Sequence, residues 1–501
     1  MTRRCTRSPC SAAKTKPREQ KGETKMEMLI GGKKCPAAGG EVLNAINPAT
    51  GEVIGTFPSA GKEDVERCLT LARQGAERWG AMSMDARTAV LENVPRVFEA
   101  HRDELCALLC AEMGKPIRQC GEDLDVTVEI FKNLCEEARH LAGSSFMDLS
   151  AAGCMGDVQF TRYEPLGVVA CIAPFNFPFD TLTQKVAAAL VMGNSVVIKP
   201  PTDVTLSLIR YTELLIEAGV PGDVAQIVTG HGADVGDMVV RSEKVDAISF
   251  TGSTEVGIEI CRNSAPYLHR MIMELGGNDP FIIFGDADLG HAVQECWMRL
   301  RNCGQTCCAS KRYIVHNSVK DAFAGKLVQW LTGFKTGDPA DPATDVGTLI
   351  NERAAKEVEE QIAHTVRQGA KLLYGGERKG AFLTPAVLVD VTPDMDVAKD
   401  MEIFGPVFPI IGFDTEEEAL ALANQTSYGL NAGCMSGDMI RALRVASKLQ
   451  AGTVVLNGCS TWRGLEIPFG GYKMSGLGRE GGRYSLLTMS QEKTVAIRYV
   501  R

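Results

Sequence analysis

The sequence VVACIAPFNFPFDTLTQKVAAALVMGNSVVIKPP, residues 168–201, decides the fold. It starts with the apolar run Val168–Ile172 and closes with a second run, Ser195–Ile198, and the segment Thr183–Val191 between them is helical in character. Continuous apolar runs are typical of buried parallel strands, which a helical crossover connects. Two further runs of this kind follow, Ala225–Val228 and Ala247–Phe250. Together the runs predict a doubly wound α/β unit.

A second α/β unit follows in the chain. Its predicted strands are Phe281–Phe284, Tyr313–Val315, Ala386–Val389, Pro409–Ile411 and Val454–Leu456. Ahead of the first unit, turn residues within Asn44–Phe57 predict a hairpin, and the three-four spacing of apolar residues in Lys62–Ala142 predicts several helices. The predicted fold class is therefore α/β, with two doubly wound domains.

Two segments differ from these buried elements. Phe146–Glu164 partly alternates between polar and apolar residues, and Lys493–Val500 alternates in the same way. Alternation is typical of strands with one exposed face, and an edge strand can pair with another element or with another subunit. We expect both segments to protrude from the α/β units.

The composition excludes some classes of partner. The net charge is -9, and the body of the chain has no long basic run, which argues against nucleic acid as the main partner. No apolar stretch of roughly 20 residues is free of charges or of Pro and Gly, so no membrane span is predicted. The 17 cysteines are scattered and odd in number. They predict reduced thiols and no metal site.

The first 25 residues, Met1–Lys25, are polar and basic and lack the apolar core of a secretory signal peptide. They fit an organellar transit peptide, a disordered extension, or a start codon assigned too early, with Met26 or Met28 as the real start. We expect a cytoplasmic protein, or a protein of an organellar matrix if this segment is a transit peptide.

The sequence RNCGQTCCAS, residues 301–310, holds two adjacent cysteines among small residues. Asp286–Leu300 before it has the apolar spacing of one amphipathic helix, and Arg312–Val315 after it is predicted as a strand. Reactive residues often lie in such connections, although a cysteine there is more often a small buried apolar residue.

Four other positions carry polar chemistry at predicted strand ends. The turn Gly252–Gly257 closes a strand and opens a helix, where a phosphate can bind, although a tight turn needs no ligand. Lys199 and Glu274 each lie at the end of a predicted strand. Lys199 is a candidate nucleotide contact and Glu274 a candidate general base, or both are solvated side chains. Asn176, between aromatic residues and prolines, can donate to an oxyanion or form an Asx-turn.

Taken together and in this order, these motifs resemble those of the aldehyde dehydrogenase superfamily. The resemblance extends over Ala45 to Val500. It rests on PFNFP at 174–178, IKPP at 198–201, FTGSTEVG at 250–257, ELGG at 274–277, GQTCCAS at 304–310, EIFGPV at 402–407 and PFGGYKMSGLGREG at 468–481. The pattern is closest to members that oxidise succinate semialdehyde, lactaldehyde or, without phosphorylation, glyceraldehyde 3-phosphate.

The resemblance implies oxidation of an aldehyde to a carboxylic acid, with hydride transfer to NAD(P). Cys307 would form a thiohemiacetal and then a thioester, while Asn176 and the backbone N–H of Cys307 hold the oxyanion. Glu274 would activate the water that hydrolyses the thioester. Lys185, nine residues after Asn176, matches a lysine that relays protons from this base. Cys308 is left without a role.

The resemblance also implies cofactor contacts and domains. The contacts are Lys199 at the adenine ribose, Gly252, Ser253 and Gly257 at the pyrophosphate, Glu402 at the nicotinamide ribose and Phe404 beside the ring. Residues 26–143 and 165–270 would form the dinucleotide-binding domain, residues 271–484 the catalytic domain, and residues 144–164 and 485–501 the oligomerisation strands of a homodimer or homotetramer, with 1–25 outside the fold.

Two departures from the family pattern bear on specificity. Many NAD-using members have a glutamate three positions after the Lys199 equivalent, where this chain has Thr202. Because a missing carboxylate removes repulsion against a 2′-phosphate, we expect NADP to be favoured over NAD, although Asp203 is adjacent. Arg301 matches an arginine that binds the substrate carboxylate in succinate-semialdehyde dehydrogenases, or else it is a structural ion-pair partner.

The second arginine of those enzymes is Gln184 here, and Arg463 is the candidate to replace it. We therefore expect a small aldehyde with a polar or anionic tail, such as a semialdehyde. Two alternatives stay open: a CoA-acylating dehydrogenase of the same fold, which the presence of Glu274 disfavours, and an oligomeric scaffold without catalysis.

Overall fold

The computed structural model describes residues 24–146 and 157–498. Most of the leader Met1–Lys25, residues 147–156 of the protruding strands and the last three residues lie outside the described residues. Within the described ranges, no helix is long and apolar enough to span a lipid bilayer.

The predicted hairpin near the N-terminus is confirmed. It belongs to a three-stranded sheet with the order β1 (Thr24–Lys25), β5 (Val53–Pro58) and β4 (Val42–Ile46). Strands β4 and β5 are antiparallel, with Leu43 opposite Phe57. The helices predicted after the hairpin are also present, namely α1 (Lys62–Gly80), α2 (Met84–Leu91), α3 (Val94–Ala100), α4 (Arg102–Met113) and α5 (Ile117–Arg139).

The first large sheet contains the four strands that the apolar runs predict. Its strand order is β24 (Gly476–Leu477), β12 (Arg270–Glu274), β11 (Ala247–Thr251), β8 (Val168–Ile172), β9 (Ser195–Lys199), β10 (Ala225–Ile227), β2 (Met28–Ile30) and β3 (Lys33–Cys35). The five strands from β12 to β10 are parallel. The chain reverses its direction of winding between β8 and β11, which makes the carboxyl ends of these two strands a ligand-binding crevice.

Helices cover both faces of this sheet, namely α6 (Pro178–Val191), α7 (Leu206–Glu217), α8 (Asp237–Val240) and α9 (Thr254–Ser264). Val169 and Cys171 of β8 join the core that includes α5, α6 and α7, whereas Val168 and Ala170 join the core on the α1, α8 and α9 face. Both faces are therefore buried, as the continuous apolar runs predict. Helix α6 begins at Pro178, earlier than predicted, because proline is favoured in the first turn of a helix.

The second large sheet has the strand order β15 (Lys371–Tyr374), β18 (Ala386–Val391), β19 (Val407–Phe413), β14 (Arg312–His316), β13 (Pro280–Ile283), β21 (Asn431–Met435) and β22 (Thr453–Leu456). Strand β21 lies in its interior, yet its sequence NAGCM has little β-propensity. A Cβ atom on Gly433 would lie 2.7 Å from the carbonyl oxygen of Gly458 and 2.9 Å from the ring of Phe281. Close packing at position 433 therefore requires glycine, which sequence patterns do not associate with a strand.

The helices that accompany the second sheet are α10 (Leu289–Glu295), α11 (Trp297–Leu300), α12 (Asn317–Leu331), α13 (Glu352–Arg367), α14 (Glu416–Asn424) and α15 (Met439–Ala446). The prediction of one helix over Asp286–Leu300 is wrong in two respects. The helix starts only at Leu289, because the Asp288 side chain caps it by accepting from the N–H groups of Gly290 and His291. It is also interrupted at Cys296.

The remaining strands form three small sheets. Two of them are pairs, β16 (Arg378–Lys379) with β17 (Phe382–Leu383) and β20 (Tyr428–Gly429) with β23 (Tyr472–Lys473). The third has the order β25 (Ser490–Ile497), β7 (Val158–Pro165) and β6 (Ser145–Phe146), and α16 (Gly482–Thr488) precedes it. Strand β25 pairs with β7 from Ser490 opposite Pro165 to Ile497 opposite Val158, so the C-terminal strand has a partner in its own chain.

Candidate active site

Cys307 lies in the wall shared by two cavities. It is in the loop before β14, and Asn176, in the loop after β8, lines the first cavity with it. The first cavity has a volume of about 650 Å³, and Asn176, Gln305, Glu402 and Phe404 line it together with Cys307. The second has a volume of about 490 Å³ and lies on the other side of the same sulfur.

The turn that presents Cys307 has an unusual backbone. Asn302, Cys303 and Gly304 have φ angles of 50°, 53° and 76°, in the left-handed region. Gly304 must be glycine, because a Cβ atom there would lie 2.2 Å from the carbonyl carbon of Gly405. The side-chain N–H of Asn302 donates to the carbonyl oxygen of Asn176 at 2.7 Å, which ties the cysteine turn to the loop after β8.

Asn176 is held rigidly beside this turn. Its Nδ2 atom donates to the carbonyl oxygen of Gln305 at 3.0 Å, and the residue is 5% exposed. Gln305 in turn accepts from the N–H of Ile350 at 2.8 Å. The amide of Asn176 carries two N–H donors, so one of them stays available to the cavity. No Asx-turn is needed to explain this residue.

The surroundings of Cys307 favour its thiolate. A hydrogen bond from the Cys308 thiol lowers the pKa of Cys307, burial opposes this effect, and the positive charges of Lys311 and Arg463 add to it. A lower pKa raises the fraction of thiolate, which is the nucleophilic form. Cys308 therefore has a structural relation to the nucleophile that the sequence did not suggest.

Lys311 is a contact that sequence patterns missed. Its buried ammonium group lies 3.2 Å from Oε1 of Glu402 and donates to the carbonyl oxygen of Cys307. The lysine thus connects the nucleophile turn with the carboxylate on the opposite wall of the first cavity. A lysine four residues after a candidate nucleophile was the available signal, but only the folded loop brings the two together.

Glu274 ends β12 and is 4% exposed. Neither of its carboxyl oxygens has a hydrogen-bond partner among the described residues. Burial, followed by the negative charge of Glu480, raises the pKa of Glu274 well above the usual carboxyl range, while Lys185 and Arg463 oppose this. An unpartnered, buried carboxyl with a raised pKa is a candidate general base. It is not the solvated glutamate of the alternative interpretation.

Lys185 and Glu480 form a buried ion pair, with 2.6 Å between Nζ and Oε1. Arg463 lies on the other side of Glu480, with 3.8 Å between Nη2 and Oε2. The structure therefore brings Lys185, Glu480, Arg463 and Glu274 into one charged group. The sequence motif at 468–481 contains Glu480, but its pairing with a lysine on α6 left no signal in the sequence.

The first cavity opens at the start of α9. Gly252 and Ser253 line it, and the Ser253 hydroxyl caps the helix by accepting from the N–H of Val256 at 3.3 Å. The Glu402 carboxylate lies over Gly276, where a Cβ atom would be 2.5 Å from Oε2. Phe404 packs edge-on against Phe175, with 5.9 Å between the ring centroids. Gly257 packs against Leu275 instead and does not line the cavity.

A third cavity of about 290 Å³ continues from the first and is lined by Lys199 and Thr202. The Nζ atom of Lys199 donates to the carbonyl oxygen of Pro200 at 2.6 Å. Burial lowers the pKa of Lys199 to about 8. The lysine is 3% exposed, which contradicts the alternative of a solvated side chain.

These residues fit a nicotinamide dinucleotide. The positive end of the α9 dipole suits a pyrophosphate, the Glu402 carboxylate suits ribose hydroxyl groups, and the ammonium of Lys199 suits the far ribose or its phosphate. The two connected cavities give room for an extended molecule that ends beside Cys307.

The second cavity combines aromatic and charged side chains. Arg463 lies flat over Phe469, with 4.1 Å from its guanidinium carbon to the ring centroid, and neither its Nε nor its Nη2 has a hydrogen-bond partner. Arg301 pairs with Glu122 at 2.7 Å, so the predicted alternative of an ion-pair role is present, but its Nε is unpartnered and it lines the cavity. The lining also includes Phe177, Met298, Trp462 and Leu465 and, from α5, Asp125 and Glu129.

The cysteines and the possible metal ligands are described only within residues 24–146 and 157–498. Every cysteine in the described ranges is a free thiol. Within residues 24–146 and 157–498, no group of three or more His, Cys, Asp or Glu side chains is arranged to hold a metal ion.

Comparison with known proteins supports the family resemblance found in the sequence. The model of the aldehyde dehydrogenase family matches residues 36–495. The NADP⁺-dependent succinate-semialdehyde dehydrogenase GabD of Escherichia coli is 35% identical, over 92% of this chain and 95% of that protein. A 3-sulfolactaldehyde dehydrogenase of Pseudomonas putida is 36% identical, over 95% and 96% respectively. The crystal structure of an E. coli NADP-dependent enzyme superposes with a TM-score of 0.92 at 35% identity, covering 95% of this chain and 98% of that one.

Proposed function

The chain belongs to the aldehyde dehydrogenase family, and we propose that it oxidises a small aldehyde with an anionic tail through a covalent intermediate on Cys307. That it is an NAD(P)-dependent aldehyde oxidoreductase follows from the family and from its relatives. The observation that carries the mechanism is the position of Cys307 in the wall of two cavities. An aldehyde in one cavity and a cofactor in the other can approach the same sulfur.

The first step is attack of the Cys307 thiolate on the aldehyde carbon. A C–S bond forms, and the carbonyl electron pair moves to the oxygen. The free N–H of Asn176 and the backbone N–H of Cys307 stabilise this oxyanion, because their positions are fixed before the substrate arrives. A bound NAD(P) would supply the hydride acceptor. When hydride leaves the thiohemiacetal carbon, the electron pair of the oxyanion re-forms the carbonyl, and the carbon stays bonded to Cys307 as a thioester.

The second step is hydrolysis of the thioester. Glu274 takes a proton from a water molecule, the water oxygen bonds to the carbonyl carbon, and the C–S bond breaks to return the thiolate. The free carboxyl oxygens of Glu274 suit this role. The buried Lys185–Glu480 pair, which lies close enough to alter the pKa of Glu274, receives and releases the proton.

The cofactor contacts that we propose are Lys199, Thr202, Gly252, Ser253, Gly257, Glu402 and Phe404, with Gly257 acting by close packing of the helix. We propose NADP in preference to NAD. Thr202 in the third cavity presents no negative charge to a 2′-phosphate. The neighbouring carboxylate of Asp203 accepts from the side-chain N–H of Asn351 at 3.1 Å, so this hydrogen bond holds it near the start of α13.

The anionic tail of the substrate is proposed to bind Arg463 together with Arg301. The unpartnered Nε and Nη2 atoms of Arg463 form the edge of the guanidinium group that binds carboxylate, phosphate or sulfonate in two parallel hydrogen bonds. The relatives named for succinate semialdehyde and 3-sulfolactaldehyde act on aldehydes with such a tail, which supports this assignment.

Assembly and location are proposed from the same family relationship. We propose a cytoplasmic homodimer or homotetramer, with residues 144–164 and 485–501 as the assembly strands, residues 26–143 and 165–270 as the cofactor domain and residues 271–484 as the catalytic domain. Exposed apolar side chains on the three-stranded sheet, among them Phe146, Val158 and Ile497, favour a contact there. Light scattering after size exclusion measures the mass directly.

The test is an aldehyde panel on the full chain. Succinate semialdehyde, glyceraldehyde 3-phosphate, lactaldehyde, propanal and hexanal are each offered with NAD and with NADP, with and without CoA, and NAD(P)H and products are measured. We expect the highest kcat/KM with an anionic aldehyde and NADP, and a free acid as the product. An acyl-CoA product would favour the CoA-acylating alternative, and a folded, cofactor-binding protein without turnover would favour the scaffold.

A further inference from the structure

The second cavity contains a carboxyl group to which the mechanism assigns no role. Asp180 lies in the first turn of α6, and its side chain lines this cavity together with Cys307 and Arg463. Its Oδ1 atom is buried and has no hydrogen-bond partner among the described residues. The motifs in the sequence do not single it out, because it falls between Asn176 and Lys185, the two residues that the motif does identify.

Asp180 is not needed to build the helix. Its own backbone N–H donates to Oδ1 of Asp123 at 2.9 Å, so a different carboxylate satisfies the start of α6. Asp123 in turn pairs with Lys115, with 2.9 Å between Oδ2 and Nζ, and both side chains are fully buried. Lys115 also lies 4.1 Å above the ring of Phe177. The helix start is thus fixed by the Lys115–Asp123 pair, whichever residue occupies position 180.

Asp180 is also not simply the counter-ion of Arg463. The guanidinium of Arg463 is held against Phe469 and lies 3.8 Å from Glu480. No ion pair joins it to Asp180 among those found in the described part of the chain. The two groups act on each other only at longer range: burial raises the pKa of Asp180 to about 6, and the charge of Arg463 opposes this shift.

A buried acceptor without a donor is destabilising. The cavity wall next to Cys307 is therefore destabilised unless something that enters the cavity supplies the donor. Arg463 has the opposite deficiency, since its Nε and Nη2 lack acceptors. The wall thus offers one acceptor and one pair of donors to the same small molecule.

We propose that Asp180 accepts a hydrogen bond from a hydroxyl group of the aldehyde, and that the enzyme selects small aldehydes that carry both a hydroxyl group and an anionic group. This inference rests on the proposed function and adds the hydroxyl to its substrate class. An ammonium group is the other possible donor. The charge of Arg463, which acts on Asp180, disfavours a second cation beside it, and the comparison of 4-aminobutanal with butanal below tests this.

The test uses pairs of aldehydes that differ only in the hydroxyl group. Glyceraldehyde 3-phosphate is compared with 3-phosphooxypropanal, and 3-sulfolactaldehyde with 3-sulfopropanal. A site that hydrogen-bonds a hydroxyl rejects the analogue without it, because its own polar group is then left unpaired. We expect kcat/KM to favour the hydroxylated member of each pair by about tenfold or more.

Variants assign this preference to Asp180. Asp180→Ala should lower the hydroxyl preference to about twofold or less, whereas Asp180→Asn, which keeps an acceptor oxygen, should retain part of it. Glu136→Gln is the charge control, because Glu136 is an exposed carboxylate of α5 that pairs with Arg139 and is not among the residues lining this cavity, and it should keep the full preference. Thermal unfolding shows whether each variant is folded.

Several outcomes would overturn the inference. The inference is overturned if kcat/KM of the wild-type enzyme shows no preference within the pairs, or if Asp180→Ala keeps the hydroxyl preference. It is also overturned if kcat/KM for 4-aminobutanal exceeds that for butanal in the wild-type enzyme but not in Asp180→Ala. In these cases both members of a pair are still oxidised, and the proposed function stands. If no aldehyde yields NAD(P)H, the proposed function fails and the inference fails with it.

Discussion

The two cavities that meet at Cys307 are built in different ways. The first, on the proposed cofactor side, is lined by short motifs at the ends of strands, by glycines that let the backbone approach closely, and by the start of α13. The second, on the substrate side, is lined by single side chains from α5, α6, the segment before Cys307 and the loop 461–469. Each motif is local in the sequence, whereas the substrate wall exists only after distant segments have packed.

This difference separates reaction from specificity. The chemistry needs a thiolate, an oxyanion donor and a base, and each of these depends on the backbone next to it. The proposed binding of the tail by Arg463 and Arg301, and of the hydroxyl by Asp180, uses residues that come from three separate segments and have no common motif. We therefore expect substitutions on the shared wall to stop all turnover, and substitutions on the substrate wall to change which aldehyde is used.

The largest effect is expected for Cys307→Ser, because this residue serves both cavities. A hydroxyl is a far weaker nucleophile than a thiolate, so kcat should fall by roughly four orders of magnitude or more with every aldehyde. Binding of NADP, measured by fluorescence titration, should stay within about threefold of wild type, because the cofactor contacts lie elsewhere. Residual turnover near the wild-type rate would remove the nucleophile assignment.

Glu274→Gln should have the next largest effect. Loss of a general base costs about 10²–10⁴ in rate, and the acyl-enzyme should accumulate as a burst of NAD(P)H followed by slow turnover. Intact-protein mass spectrometry detects the thioester. Because burial raises the pKa of Glu274, this carboxyl should still hold its proton at pH values where an ordinary carboxyl is ionised. The wild-type deacylation rate should therefore rise as the pH increases through the raised pKa and fall as the pH decreases through it. A variant that lacks the burst and keeps this profile would refute the base.

The two cavities also differ in how much of their structure could be predicted from the sequence. The parallel strands from β8 to β11 were predictable, because continuous apolar runs have few other interpretations. The strand-end residues of the first cavity were predictable as motifs, whereas the residues at the start of α13 that also line it, such as Asn351 and Glu357, belong to no motif. Strand β21 was not predictable, because NAGCM is placed in the sheet by the close approach of Phe281 and Gly458. The break at Cys296 was missed because apolar spacing continues across it.

The substrate wall was predictable only in part. The family resemblance identified Arg301, six residues before Cys307, and suggested Arg463 as a replacement for the second arginine of the succinate-semialdehyde dehydrogenases. The pairing of Lys185 with Glu480 and the unpartnered Asp180 are properties of the packed structure. No local pattern distinguishes these residues from ordinary charged side chains near a helix start or in a loop.

The third prediction compares the two arginines. Arg463→Met should lower kcat/KM for succinate semialdehyde relative to propanal by about 10- to 100-fold, since hydrogen bonds to charged groups are worth about 1.5–3 kcal/mol. Arg463→Lys should recover only part of this, because an ammonium does not bind in two parallel hydrogen bonds. Arg301→Met should cost less, because Glu122 already competes for that guanidinium. A larger loss for Arg301→Met would exchange the two assignments.

The fourth prediction concerns the third cavity, which Thr202 lines. Thr202→Glu places a carboxylate beside the site proposed for the 2′-phosphate, and repulsion of about 1 kcal/mol should lower the NADP/NAD ratio of kcat/KM by roughly fivefold. Thr202→Gln introduces a side chain of the same size as glutamate but without its charge, and it should leave the NADP/NAD ratio of kcat/KM nearly unchanged. Equal shifts in both variants would mean that size, not charge, matters at this position.

The smallest effect is expected for Cys308→Ala, which tests whether the neighbouring thiol assists the nucleophile. The hydrogen bond from Cys308 lowers the pKa of Cys307, so its loss should raise that pKa and move the pH profile of iodoacetamide inactivation, followed at Cys307 by peptide mass spectrometry, to higher pH. A neutral hydrogen bond contributes about 0.5–1.5 kcal/mol, which predicts a two- to tenfold lower kcat/KM near neutral pH.

Cys308→Ser separates this hydrogen bond from packing, because the hydroxyl is also a donor and should restore most of the wild-type profile. The effect is expected to be equal for all aldehydes, since Cys308 acts through the sulfur that both cavities share and does not contact the tail. A shift of the profile to lower pH in Cys308→Ala would mean that Cys307 donates to Cys308. An effect that differed between anionic and neutral aldehydes would place Cys308 on the substrate wall instead.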